Sequence, residues 1–464
     1  MKKNTENKTE LFKSVPVPKS LMTMDLPTII GQLINVIYNM VDAFFIGRTG
    51  NSYMMAATTV TLTLFLLNLA LAGLFGVGGG SLVARLSGKG ELQEAKRTSA
   101  FSLYGAICVG LLYSCMVGVF LDPLLRLLGA SDATMDYTRS YGLIVVVLGS
   151  LPSVMSMTLG HLLRNAGYAT QASIGMSGGG LLNVILDPLF MFVLLPPGSE
   201  VTGAAIATTL SNTASCAYLL YAYCKASGEA PLSAKLRDAK SISKDSVKAV
   251  FAVGIPSAVL TGLFDLANIV LNKLTSAHND LVLAGMGIVM KLERVPNAIN
   301  IGICQGMLPI VAFNYASGNH ERMRKTIKTA RLCGLLISVA CIAAFELLAV
   351  PASKLFLSTN TRDAETALKT IAYAALFLRI RCLASPVQFL NYHTSFCMQA
   401  IGDGRRTLLH AFAREILFYI PCMFLLDRLF GEIGLAAALP VGEGLGAILA
   451  ILLLRRALRQ NELT

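Results

Sequence analysis

The sequence predicts an all-α polytopic membrane protein of twelve transmembrane helices, built as two parallel copies of a six-helix unit. Three observations predict it. Of 464 residues, 54% are hydrophobic and 14% charged, where a soluble domain carries roughly 25% charged residues. Apolar runs near the roughly 20 residues needed to cross a bilayer core recur along the whole chain. Motifs in the first half return in the second at a shift of about 230 residues.

Because backbone groups in hydrocarbon must pair within their own helix, each run reads as a helix. In order they are α1 (22–47), α2 (54–86), α3 (97–121), α4 (134–159), α5 (168–195), α6 (202–224), α7 (246–275), α8 (281–315), α9 (326–350), α10 (364–397), α11 (406–428) and α12 (433–455). With the N-terminus in the cytoplasm, Lys2, Lys3, Lys89, Lys96, Arg97, Lys235, Arg237, Lys240, Arg322, Arg324, Lys325, Arg405, Arg406, Arg455 and Arg456 fall on one side. The other side holds few, such as Arg48, Arg126, Lys354 and Arg428. The positive-inside rule then puts both termini in the cytoplasm of a plasma membrane. This distribution also explains the net charge of +12 without nucleic acid. Met1 to Lys19 is polar and predicts no cleavable leader. The ten Cys lie scattered in apolar runs and read as core residues rather than disulfides or metal ligands.

The repeat pairs Pro27 with Pro256, Asn39 with Asn268, Asn68 with Asn297, Gly73 with Gly302, Ser87-Gly88 with Ser317-Gly318 and Gly203 with Gly434. An even number of helices per copy runs both copies in the same direction, an arrangement used by transporters. The expected division is a first lobe at 1–224, a cytoplasmic linker at 225–248 and a second lobe at 249–464.

Charged and amide side chains inside such helices are expensive and are functional candidates. In α1, Gln32, Asn35, Asn39 and Asp42 form one helical stripe, bordered by Tyr38. The stripe faces either neighbouring helices or a wet cavity, and Asp42 is its one carboxylate. In α5, Asn183 and Asp187 share a face, and Pro188 frees the carbonyl of Val184. This oxygen set suits a hard cation, the alternative being a kink capped by local polar groups. In α6, Thr208, Asn212 and Ser215 follow one face and read as packing or site. The second half carries Asp265, Lys291, Glu293, Arg294, Arg379 and Arg381, read mainly as ion pairs or cavity lining. Pro386 is expected to break α10, with Gln388 and Asn391 beside the break.

In these residues the chain resembles the bacterial branch of the multidrug and toxic compound extrusion (MATE) family. The resemblance rests on Leu26-Pro27, on Tyr38 to Gly47 around Asp42, on Gly76 to Ser81, on Leu163 to Gly167 and on Asn183 to Pro188. In the second half it rests on Gln305 to Tyr315, Ser317 to Arg322 and Met398 to Gly402. It implies V-shaped lobes, alternating access and H⁺- or Na⁺-driven export of mostly cationic, amphipathic drugs or toxins by a monomer. No other cofactor and no catalytic residue is expected. It implies a coupling-ion site at Asp42 and Asp187, with Tyr38, Asn183 and Thr208 beside them, Thr209 being the less favoured hydroxyl. Gln32, Asn35, Asn39, Asn212, Asp265, Lys291, Arg379 and Gln388 are expected to line the substrate cavity. Two residues depart from the pattern: Tyr168 replaces a small or acidic residue, and Asp265 fits the second-half acidic position only to within one residue. A lipid-linked oligosaccharide flippase remains an alternative because of Arg379 and Arg381. A membrane transferase is disfavoured, since no dense acid cluster for Mg²⁺ occurs.

Overall fold

The computed structural model describes residues 10–355 and 364–460, and these are almost entirely helical. Lys2 and Lys3 lie outside them. The helices, in order, are α1 (Val17–Arg48), α2 (Ser52–Lys89), α3 (Leu92–Val119), α4 (Met135–Leu148 and Ser150–Asn165), α5 (Ala169–Leu194) and α6 (Glu200–Ser227). The second set is α7 (Lys244–Ser276), α8 (Asp280–Ala316), α9 (His320–Leu355), α10 (Ala364–Cys382 and Ser385–Ile401), α11 (404–430) and α12 (432–460). The last two form one continuous run until Gly431, whose φ of 59° and ψ of −141° break it. Only glycine adopts that backbone readily.

Several helices outrun their apolar stretches. α3 starts at Leu92 rather than 97, α4 reaches Asn165 rather than 159, and α9 starts at His320 rather than 326. The added turns carry polar or basic residues such as Lys96, His161, Arg164 and Arg322. Hydropathy marks the part of a helix that sits in hydrocarbon, whereas the backbone ladder continues to the next cap. At the end of α2 that cap is Gly90, with φ of 80° and its N–H bonded to the carbonyls of Leu86 and Ser87. Three spans are irregular. α4 bends by 45° at Gly149 and α10 by 48° before Ser385, and α8 pauses at Glu293. The α10 break is not at Pro386. It falls at Leu383 and Ala384, and Pro386 occupies the first turn of the new segment, where no amide hydrogen is needed.

Within the first half, α2 packs on α3 and α4, α1 on α5, and α6 on α4 and α5. Within the second, α8 packs on α9 and α10, α7 on α11, and α12 on α10 and α11. The halves meet where α1 and α2 pack on α8, and α2 on α7. Glycine governs this seam. Gly78 faces the carbonyl of Val250, Gly254 that of Leu74 and Gly88 that of Phe313, each too close for a Cβ. A Cβ on Gly302 would lie 2.7 Å from the Ile29 Cα. All these glycines lie in the halves of their helices nearest the interlobe linker. The two lobes therefore join at this linker end and splay at the other, giving the V. Large side chains exposed on the outside, among them Leu112, Val119, Ile185, Leu347, Leu429 and Ile448, form the apolar surface a bilayer requires. The protein is a multi-pass membrane protein.

Candidate ion and substrate site

Pro188 sets up the centre of the first half. It cannot donate to the carbonyl one turn earlier, and α5 passes into a π-helical turn over Phe190–Leu194, a form that often marks functional sites. One turn before, Asn183 Nδ2 donates to Asp187 Oδ1 at 2.9 Å and reaches Thr208 Oγ1 at 3.4 Å. Asp187 is fully buried and Asn183 nearly so. Thr209, the less favoured alternative, points away and donates to the Ile144 carbonyl at 3.0 Å. Ser215 ties α6 to α5 through the Gly175 carbonyl at 2.9 Å.

The glycine run 178–180 lets two helices close on α5. A Cβ on Gly179 would lie 2.8 Å from that of Ser215, and one on Gly180 2.6 Å from the Tyr38 ring. The Tyr38 ring thus lies against α5, and Asp42, one turn further along α1, comes within electrostatic reach of Asp187. Tyr141, at the start of the π-helical turn in α4, lies near Tyr38 and both acids. Toward the open end, Ile46, Met191 and Ala204, with Phe45 and Tyr141, form a small apolar cluster. Phe45 and Phe192 meet edge to face at 6.2 Å.

Three buried oxygens here accept no hydrogen bond: Asp42 Oδ1, Asp187 Oδ2 and Asn183 Oδ1. Among the described residues, neither acid is in an ion pair. Asp187, Asn183 and Thr208 meet directly, Asp42 adds a second carboxylate within electrostatic reach, and such an oxygen-only set suits a hard cation or a shared proton.

The rest of the expected set divides. The α1 stripe does not act as one wall. Gln32 Nε2 donates to Gln305 Oε1 at 3.1 Å across the interlobe seam. Asn39, exposed, donates to the Asn35 backbone carbonyl at 2.6 Å. Asn212 is half-buried one turn along α6 from Thr208. In the second half Lys291 is exposed and Asp265 half-buried, within electrostatic reach of Arg294. Arg379 Nε lies 3.6 Å from Glu346 Oε2, both partly exposed. Arg381 is buried and grips Glu293 with two bonds of 2.8 and 2.9 Å. Gln388, expected in a cavity, is buried inside the second lobe with Nε2 3.4 Å from Glu443 Oε1.

That bond belongs to a cluster the sequence reading passed over. Arg414 holds Glu443 at 2.9 and 2.6 Å, lies 3.5 Å from Glu415, and stacks on the Tyr392 ring at 4.7 Å. Asn391 Nδ2 donates to Glu443 Oε2 at 2.6 Å and accepts at Oδ1 across 3.1 Å from His410 Nε2. All are buried. The signal was visible: Arg414-Glu415 and Glu443 interrupt apolar runs of α11 and α12.

Twelve helices in two parallel lobes, with a buried Asp187 and a partly buried Asp42 in one, define a membrane protein of two-lobed transporter architecture. The MatE family model matches residues 27–189 and 254–425, one stretch in each half. The chain is 30% identical over 442 residues to the multidrug export protein MepA of Staphylococcus aureus (strain MRSA252), covering 95% of this chain and 94% of that one. It is 29% identical over 440 residues to the protein of the same name from Staphylococcus haemolyticus, with the same shares. Among solved structures it is similar to a MATE protein in complex with MaL6 (TM-score 0.91, 22% identity, 98% and 99% of the two chains). It is also similar to an outward-facing multidrug resistance MATE family transporter of the MOP superfamily (TM-score 0.90, 23% identity, 98% of both). The chain belongs to the MatE family.

Proposed function

We propose that this protein is a secondary active exporter of amphipathic, mostly cationic organic compounds, driven by inward movement of H⁺ or Na⁺. The observation that carries the reading is the set of three buried, unpartnered oxygens on Asp42, Asp187 and Asn183. A site with two carboxylates, unpartnered buried oxygens and no paired cation is under-satisfied, and a proton or Na⁺ is the small species that satisfies it. The names of the Staphylococcus relatives support the cargo class. The basic residues at the linker end support a cytoplasmic placement of that end and of both termini, so the V opens outward. In this orientation the ion enters from outside, binds between α1 and α5, which already touch at Tyr38 and Gly180, and shifts α1 against that contact. The rearranged α1 then alters the cleft in which cargo sits. The flippase alternative loses its main support, because Arg381 is spent on Glu293 and Arg379 faces Glu346.

The test is cargo efflux from liposomes holding purified protein, under a proton gradient or a Na⁺ gradient separately. Asp42→Asn and Asp187→Asn should each abolish the gradient-driven component while leaving the protein folded. Gradient-driven efflux at the wild-type rate in both variants rejects the site.

A further inference from the structure

A cavity of about 350 Å³ lies across the interlobe seam at the linker end, remote from the acid pair. The first lobe lines it through Arg85 and Lys89 of α2. The second lobe lines it through Tyr315 of α8, His320 of α9 and Ile401 of α10. Each polar side chain in this lining carries a hydrogen-bond donor, and none is a carboxylate. The Arg85 guanidinium is the telling group. Its Nε reaches only the Ser81 carbonyl, at 3.4 Å. Its Nη2 is buried and has no hydrogen-bond partner. Gly402, at φ of 86°, leaves room for it, and any side chain there would collide with the guanidinium. Asp403, the nearby acid, is engaged instead with the backbone N–H of Arg406 at 3.1 Å and with its guanidinium. A buried charged donor without an acceptor is costly, and an oxyanion in the cavity that Arg85 lines would sit beside that charge.

We infer that this cavity binds a phosphate-type oxyanion, supplied either by an acidic lipid headgroup or by free phosphate, and that the anion clamps the two lobes together at the linker end. Arg85 and Lys89 come from one lobe, and Tyr315 and His320 from the other. They converge beside Gly88, whose Cα faces the Phe313 carbonyl too closely to admit a Cβ. Opening the seam separates these donors, so the anion binds the seam-closed state better. Only such differential affinity shifts a conformational equilibrium. The inference holds whichever ion or cargo is moved.

The experiment uses the full chain in nanodiscs of phosphatidylcholine, with and without phosphatidylglycerol, and with inorganic phosphate titrated against chloride at constant ionic strength. Thermal unfolding and hydrogen exchange are read together. In the wild type, phosphate or phosphatidylglycerol raises the unfolding temperature and slows exchange at residues 86–91 and 315–320. Lys89→Gln should raise the half-saturating anion concentration about threefold, and Arg85→Gln about tenfold or more. If Arg85→Gln does not fold, Lys89→Gln and His320→Gln carry the test, since both positions are at least partly exposed. Stabilisation by phosphate alone identifies a free oxyanion, and stabilisation by phosphatidylglycerol alone identifies a headgroup. No gain over chloride, an undiminished gain in the variants, or binding without protection at the seam overturns the inference.

Discussion

Replacing Asp187 by Asn removes a charge and keeps the shape of the side chain, which makes it the sharpest probe of the acid pair. Asp187 is fully buried and accepts one hydrogen bond of 2.9 Å from Asn183. Its second oxygen, with one each on Asp42 and Asn183, has no partner. At about 1–3 kcal/mol for each unsatisfied buried group, roughly 3–9 kcal/mol of polar cost is open for an ion to recover. A millimolar site needs only about 4 kcal/mol. Removing one of two carboxylates about 4 Å from a cation costs about 4 kcal/mol at an effective dielectric of about 20, which is roughly three decades of affinity. The assay is thermal unfolding of detergent-solubilised protein against Na⁺ and against pH, alongside liposome efflux. A wild-type protein at one hundred times its ion dissociation constant should gain about 2.7 kcal/mol. The Asp187→Asn protein should show no ion-dependent gain and no gradient-driven efflux, at a resting stability equal to or above wild type. An intact ion-dependent gain in that variant would refute the reasoning.

Gly180→Ala should drive a methyl group into the Tyr38 ring, at 2.6 Å, and lower gradient-driven efflux about tenfold, measured in the same liposomes. Gly254→Ala places a methyl group against the Leu74 carbonyl and should loosen the linker-end seam, read as faster hydrogen exchange at residues 74–78 and 250–254. Glu443→Gln breaks the buried pair with Arg414 and should destabilise the second lobe by about 3–5 kcal/mol. Replacing Arg414 and Glu443 together by Leu should recover much of that loss, measured as unfolding temperature.

The neighbours Asn183 and Asp187 could be found from spacing, because i and i+4 on one helix must meet. Their partner Asp42 could be placed only as a polar residue of α1. That it approaches Asp187 depends on α1 packing on α5, with Gly180 admitting Tyr38. The same limit explains the misplacements. Gln388 was expected in a cavity and is held inside the second lobe by Glu443, 55 residues away in sequence. Gln32 shares a helical stripe with Asp42, yet the splay of the lobes sends it to the seam and Asp42 to the acid site. Arg379 and Arg381 look alike in sequence, but alternate positions in α10 give one a half-exposed partner and the other a mostly buried one.

By itself the sequence determined that this is a twelve-helix membrane protein, duplicated in parallel, and singled out the acids in α1 and α5 as functional candidates. Those conclusions follow from local rules: hydrocarbon forces each span to satisfy its backbone within one helix, so length and apolarity decide the element. Tertiary structure alone decided which polar faces meet, where the lobes touch, and which buried charges already have partners. Those outcomes depend on helix rotation and crossing at contacts between residues far apart in the chain, set by side-chain packing and by where glycine admits close approach.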